Sequence, residues 1–252
     1  MNSKVKTENI WKEKKTIIVL IVIIISAALL GTYIYSSIKS NYSSADYKAI
    51  GNVNMKVEEA TKLGRNLTDE AKTLNSKYSD VKAWLRIPGT SIDTAVFQST
   101  DNERYYRNNR DNESTKWGEV YLDYRCNVEN LEKQNIIIYG HNTESDNNFS
   151  PLLNYKSKDF YKNHRIIELS NLNGNYRFEI FSVYTTDTSF FYIDTNFKDA
   201  NEFKSYIKSV NTKSSYSTGV AVKEDDTILT LSTCDYTIDN GRYVVQARLI
   251  KQ

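Results

Sequence analysis

Val81-Lys82-Ala83-Trp84-Leu85-Arg86-Ile87-Pro88-Gly89 marks the point at which the chain changes character. The first seven residues read as a short β-type run, and the turn dipeptide Pro88-Gly89 closes it. Seven further runs of this kind follow: Ile92 to Phe97, Glu119 to Leu122, Asn135 to Tyr139, Arg165 to Leu169, Tyr176 to Tyr184, Thr227 to Leu231 and Tyr243 to Ile250. Their spacing is irregular and few helical segments intervene. An all-β barrel or sandwich therefore fits better than an alternating α/β sheet. One segment breaks the pattern, because Phe203, Tyr206 and Ile207 within Asp199 to Lys208 recur at helical spacing. A helix is thus expected inside the long connection 185–226. Long connections in compact domains are often functional, which makes this one a candidate substrate wall.

Upstream of Val81 the composition is different. From Tyr42 to about Asp80 the chain is polar, with Val57, Ala60, Leu63, Leu67, Ala71 and Leu74 spaced as one face of short helices. Asn66-Leu67-Thr68-Asp69 is a helix-start signal. The run from Thr16 to Ile38 has no charged residue and is long enough to cross a bilayer, and Lys4, Lys6, Lys12, Lys14 and Lys15 precede it. Ser26, Ala27 and Ala28 are followed by more apolar chain rather than by polar sequence, which favours a retained anchor over a cleaved signal peptide. The expected organisation is a cytoplasmic basic segment over 1–15, a membrane span over 16–38, a helical stalk over 39–80 and a β domain over 81–252. The lysines before the span place the N-terminus in the cytoplasm and Lys39 onward outside the cell.

The chain has 252 residues, 40% of them hydrophobic and 12% aromatic, enough for a substantial core. Its formal charge is only +2, so nothing in the balance demands a nucleic acid as partner. Asp123, Glu129 and Glu132 are scattered rather than spaced as a calcium loop. Two histidines with two distant cysteines do not make a zinc site. No metal and no cofactor are expected.

Of the two cysteines, Cys126 lies in the polar stretch Tyr124-Arg125-Cys126-Asn127, whereas Cys234 ends the apolar run that begins at Thr227. Nothing local brings them together as a disulfide. A lone cysteine is most often an inert buried thiol. A nucleophilic one needs exposure and a cationic or imidazole neighbour. His141 follows Ile136-Ile137-Ile138-Tyr139-Gly140 at a strand end, while His164 sits in the charged context Lys162-Asn163-His164-Arg165. Arg242 opens the last strand soon after Cys234, so a hairpin would bring its guanidinium beside the sulfur.

Tyr139-Gly140-His141-Asn142, Thr230-Leu231-Ser232-Thr233-Cys234 and Arg242 together resemble the three signature elements of class B sortases. The likeness extends along the whole chain. It implies an eight-stranded β-barrel with N-terminal helices and a helix before the cysteine strand, and that helix favours class B over the pilus-building and housekeeping classes. It implies a transpeptidase in which Cys234 attacks the threonine carbonyl of a C-terminal sorting motif of the Asn-Pro-X-Thr type, forming a thioacyl enzyme. His141 would be general acid and then base, and Arg242 the oxyanion donor with help from the Asp235 backbone N–H. The partners so implied are surface proteins bearing a sorting signal, a peptidoglycan or lipid-linked precursor amine, and the cell membrane through residues 16–38. Substrate contacts implied by the resemblance are Asn102, Tyr106, Thr188, Tyr192 and Ile193. The family often has an aliphatic residue where Tyr106 stands. Ser232 is a further candidate to face the pocket. The alternatives are a mainly hydrolytic or pilin-polymerising sortase, and a membrane-anchored binding module in which Cys234 is structural.

Overall fold

Asn66 caps the first helix of the fold, its side-chain oxygen accepting the N–H of Thr68 at 3.1 Å. The computed structural model describes residues 66–143 and 148–251. Helix α1 (Leu67–Lys77) carries Asp69 and Glu70 in its first turn and Lys77 in its last, each matched to the helix dipole. It buries Leu67 and Ala71, and Thr68 Oγ1 donates to Asn175 Oδ1 at 3.1 Å.

Eight strands follow: β1 (Val81–Arg86), β2 (Asp93–Phe97), β3 (Tyr121–Leu122), β4 (Asn135–Tyr139), β5 (Ile166–Asn171), β6 (Asn175–Thr186), β7 (Ile228–Cys234) and β8 (Arg242–Leu249). They close into a barrel in the order β1-β2-β3-β4-β7-β8-β6-β5. Closure leaves no edge strand for other chains to pair with. Of the barrel and sandwich left open by the strand pattern, the chain forms the barrel. β4 and β7 run parallel, with Tyr139 opposite Ser232, while β7 and β8 are antiparallel with Cys234 opposite Arg242.

Along β7 and β8 successive side chains point to opposite faces, and this divides the core. Leu229, Leu231 and Val245 join the main cluster with Ile136, Ile137 and Ile138. Ile228 and Val244 instead join Phe203, Tyr206 and Val210 of helix α4 (Ala200–Lys213). Asp199 caps that helix through the N–H groups of Asn201 and Glu202. Two shorter helices, α2 (Arg104–Arg107) and α3 (Lys158–Asn163), and a 3-10 segment, Ser150–Lys156, fill the connections.

The expectation of a single-pass membrane protein is corrected. The apolar run 16–38, the basic segment 1–15 and the stalk before residue 66 lie outside the described residues. Among the described residues no helix is long and apolar enough to cross a membrane. Their longest helix, α4, has 14 residues, against the roughly 20 that a spanning helix needs.

Candidate active site

The two registers that meet at the end of β7 determine what surrounds Cys234. On one side β8 places Arg242 directly across from it. On the other, the parallel pair Tyr139 and Ser232 means that two residues further on, in both chains, stand His141 and Cys234. The three side chains therefore line one cleft of about 210 Å³, together with Tyr106, Tyr121, Tyr139, Gly140, Ser232 and Thr233. Cys234 is partly exposed within it, as a nucleophile must be.

The loop after β4 is tied to the cysteine strand. Gly140 N–H donates to Ser232 O at 3.2 Å and Asn142 Nδ2 to Cys234 O at 3.1 Å, while Tyr236 Oη donates to Asn142 O at 2.9 Å. Position 140 requires glycine, because a Cβ there would lie 2.6 Å from the Phe149 ring and 2.5 Å from Asn148 Oδ1. His141 is 8% exposed. Its Nε2 lies 2.7 Å from the Tyr106 carbonyl, its ring stacks on Tyr106 with centroids 4.8 Å apart, and the Trp117 ring meets it edge-on at 6.0 Å.

Arg242 Nη1 donates to Gly241 O at 3.0 Å, which fixes one corner of the guanidinium while the group lines the cleft. Its remaining N–H donors suit a developing oxyanion. The Asp235 backbone N–H donates to Gly241 O at 3.0 Å, inside the turn that joins β7 to β8. In this arrangement that N–H is engaged within the turn. The Asp235 side chain is buried and points elsewhere, to Lys156 Nζ at 2.8 Å, Thr185 Oγ1 at 2.7 Å and Thr237 Oγ1 at 2.7 Å. Burial would raise its pKa, but these donors prevail and hold the carboxyl down at about 2.

The expected substrate contacts divide into two groups. Tyr106 and Ser232 line the cleft. Tyr192 stands behind Ser232, its hydroxyl 2.8 Å from Ser232 Oγ, and neither it nor Ile193 is part of the lining. Asn102 is not part of the lining and donates to Asp123 Oδ2 at 3.1 Å, and Thr188 is exposed outside the cleft. Asp123 organises the floor: its carboxylate takes Arg125 Nη2 at 2.7 Å and the Tyr139 hydroxyl at 2.9 Å, and Arg125 reaches Ile193 O at 3.2 Å. Burial raises and the Arg125 bonds lower the Asp123 pKa, and the balance falls below the ordinary carboxyl value. The sequence reading missed Tyr121, Tyr139 and Trp117 as parts of the site. Tyr139 and Asn142, which flank Gly140 and His141 in the motif itself, were the missed residues with a sequence signal.

Cys126 has a different environment. It is buried, with Sγ 3.4 Å from Asn135 O and from the Ile137 N–H, and burial pushes its thiol up to about 12. Such a thiol is inert at neutral pH.

Comparison with known proteins agrees with this geometry. Residues 85–250 match the sortase domain family. Sortase B of Listeria monocytogenes is 36% identical over 248 residues, which is 98% of this chain and 99% of that protein. A Staphylococcus aureus sortase B–substrate complex aligns with a TM-score of 0.69 and 29% identity, covering 83% of this chain and 98% of that one. A sortase B complexed with triglycine aligns equally well, at TM-score 0.69 and 29% identity over 83% of this chain and 99% of that one. With a matching domain over most of the chain and relatives alike along nearly all of it, the chain belongs to the sortase family, among the sortase B cysteine transpeptidases.

Proposed function

We propose that this sortase cleaves a C-terminal sorting motif of the Asn-Pro-X-Thr type in surface proteins and transfers the acyl fragment to a peptidoglycan amine, with Cys234, His141 and Arg242 as its reacting groups. The observation that carries the reading is the double register at Cys234, with Arg242 across β8 and His141 level with it beyond β4. The relatives add support, since one was solved with its substrate and another with a triglycine that carries a free amine.

In this mechanism Cys234 Sγ gives up its proton to His141 and attacks the threonine carbonyl carbon, forming a C–S bond and an oxyanion that the Arg242 guanidinium stabilises. The imidazolium then protonates the leaving nitrogen as the C–N bond breaks, and a thioacyl enzyme remains. An acceptor amine attacks that carbonyl, His141 takes the amine proton, and the Cys234 thiolate departs. Asp123 and Arg125 would hold the cleft floor and the 193 segment in place. Tyr106, Ser232 and, through Ser232, Tyr192 would shape the substrate wall.

Incubation with a library of quenched motif peptides and a triglycine acceptor, followed by mass analysis, tests the proposal. Cleavage after threonine with transfer to the amine is expected. Cleavage elsewhere refutes the motif, and hydrolysis without transfer refutes the acceptor assignment.

A further inference from the structure

His141 is held by a piece of backbone that the sortase motifs do not include. The partner of its Nε2, at 2.7 Å, is the main-chain carbonyl of Tyr106. A carbonyl can only accept, so Nε2 must carry the hydrogen, and a neutral imidazole then has its lone pair on Nδ1. No partner of Nδ1 occurs among the described residues, and the ring lines the cleft with Cys234 and Arg242.

The carbonyl itself is buttressed. Gly118 has φ +53°, and a Cβ there would sit 2.0 Å from Tyr105 O and 2.8 Å from Tyr106 O. The strand entrance thus presses bare backbone against the peptide that holds the imidazole. Glu119 N–H donates to Tyr105 O at 3.0 Å and Gly118 N–H to Thr115 Oγ1 at 2.9 Å, which fixes the approach. Trp117, the neighbour of Gly118, supplies the edge-on contact to the His141 ring. The charged groups around this cage are Arg107, 4.9 Å over the Tyr106 ring, Lys116, 4.2 Å over the Trp117 ring, and Arg242 across the cleft.

We propose that the Tyr106 main-chain carbonyl, buttressed by Gly118, is a positioning group that keeps His141 as the Nε2–H tautomer, so that Nδ1 is the nitrogen that exchanges protons during catalysis. Nδ1 takes the thiol proton of Cys234, delivers it to the leaving amine nitrogen as that C–N bond breaks, and later takes a proton from the incoming amine. Nε2–H keeps its bond to the carbonyl throughout. The inference rests on His141 being the proton carrier, and its first test does not depend on activity.

His164 provides an internal contrast, because its Nδ1 lies 2.9 Å from Pro88 O, which requires the opposite tautomer. Long-range proton–nitrogen NMR of histidine-labelled enzyme, at a pH where both rings are neutral, should show His141 protonated at Nε2 and His164 at Nδ1. A His164→Gln variant assigns the signals. His141 protonated at Nδ1 overturns the proposal, whether or not the enzyme transfers peptides. Gly118→Ala provides the functional arm: kcat for thioacylation should fall about ten- to a hundredfold with KM within about twofold, and the His141 tautomers should become mixed. A folded Gly118→Ala enzyme with native kcat also overturns it. If this variant does not fold, the spectrum of the native protein decides alone.

Discussion

Replacing Asp235 by asparagine tests how the turn beside Cys234 is held. The carboxylate is 1% exposed and accepts from Lys156, Thr185, the Thr237 hydroxyl and the Thr237 N–H, the last at 3.1 Å. These donors tie the turn between β7 and β8 to the 3-10 segment and to β6. They lower the pKa from 3.8 to about 2, burial notwithstanding. At ~1.4 kcal/mol for each tenfold change in proton affinity, that is about 2 kcal/mol of folding stability. Because the folded pKa is the depressed one, the contribution is complete above about pH 4 and is lost as pH falls through about 2. Urea unfolding of wild type and Asp235→Asn across this range is the assay. The variant should be less stable by about 2 kcal/mol at pH 7, with the gap closing between about pH 4 and pH 2. The other carboxyls titrate in both proteins and cancel from the difference. A gap below about 0.5 kcal/mol at pH 7, or one that stays constant into acid, would refute the account of Asp235 as a charged clasp.

Cys234→Ala should abolish cleavage and the acyl enzyme, whereas Cys126→Ala should keep most activity, and a methanethiosulfonate reagent at pH 8 should label one thiol per folded chain; equal loss of activity in both variants would indicate a shared structural role. Arg242→Lys should lose about a hundred- to a thousandfold in acylation rate, since the oxyanion contact depends on a directed planar fork, and a pH–rate profile merely displaced along the pH axis would point to charge alone. Gly140→Ala forces a methyl group into the Phe149 ring, so thermal unfolding should show a loss of about 1–3 kcal/mol together with reduced cleavage; a variant as stable as wild type would mean that the loop after β4 yields freely.

Much of this fold could be read from sequence because its strands are strongly apolar. Asn135 to Tyr139 forms a strand over the expected bounds, and the Asp199 segment begins a helix with Asp199 as its cap. β7 runs three residues beyond the Leu231 end that hydropathy suggested, since pairing with Arg242 continues the ladder to Cys234. The helices Arg104–Arg107 and Lys158–Asn163 are too short to display a period. In the site, motif spacing singled out His141, Cys234 and Arg242, which the barrel gathers in one cleft. Asn102 and Thr188 are elsewhere because side-chain direction depends on tertiary partners such as Asp123. Trp117 and Gly118 were invisible because their importance lies in what their backbone and ring touch across the fold.

The parallel seam between β4 and β7 also bears on how the enzyme comes into being. Asn142 and Cys234 hydrogen-bond although they are 92 positions apart in sequence, and the intervening chain supplies two strands, two helices and a 3-10 segment that must themselves be placed. Contacts of such separation form late, after their loop-closure entropy has been offset by the rest of the barrel. A nascent or partly folded chain therefore carries Cys234 with Arg242 across the local β7–β8 hairpin but without the imidazole of His141. The imidazole can reach Cys234 only once the β4–β7 seam has closed, so the fold itself withholds that pairing until the seam is made.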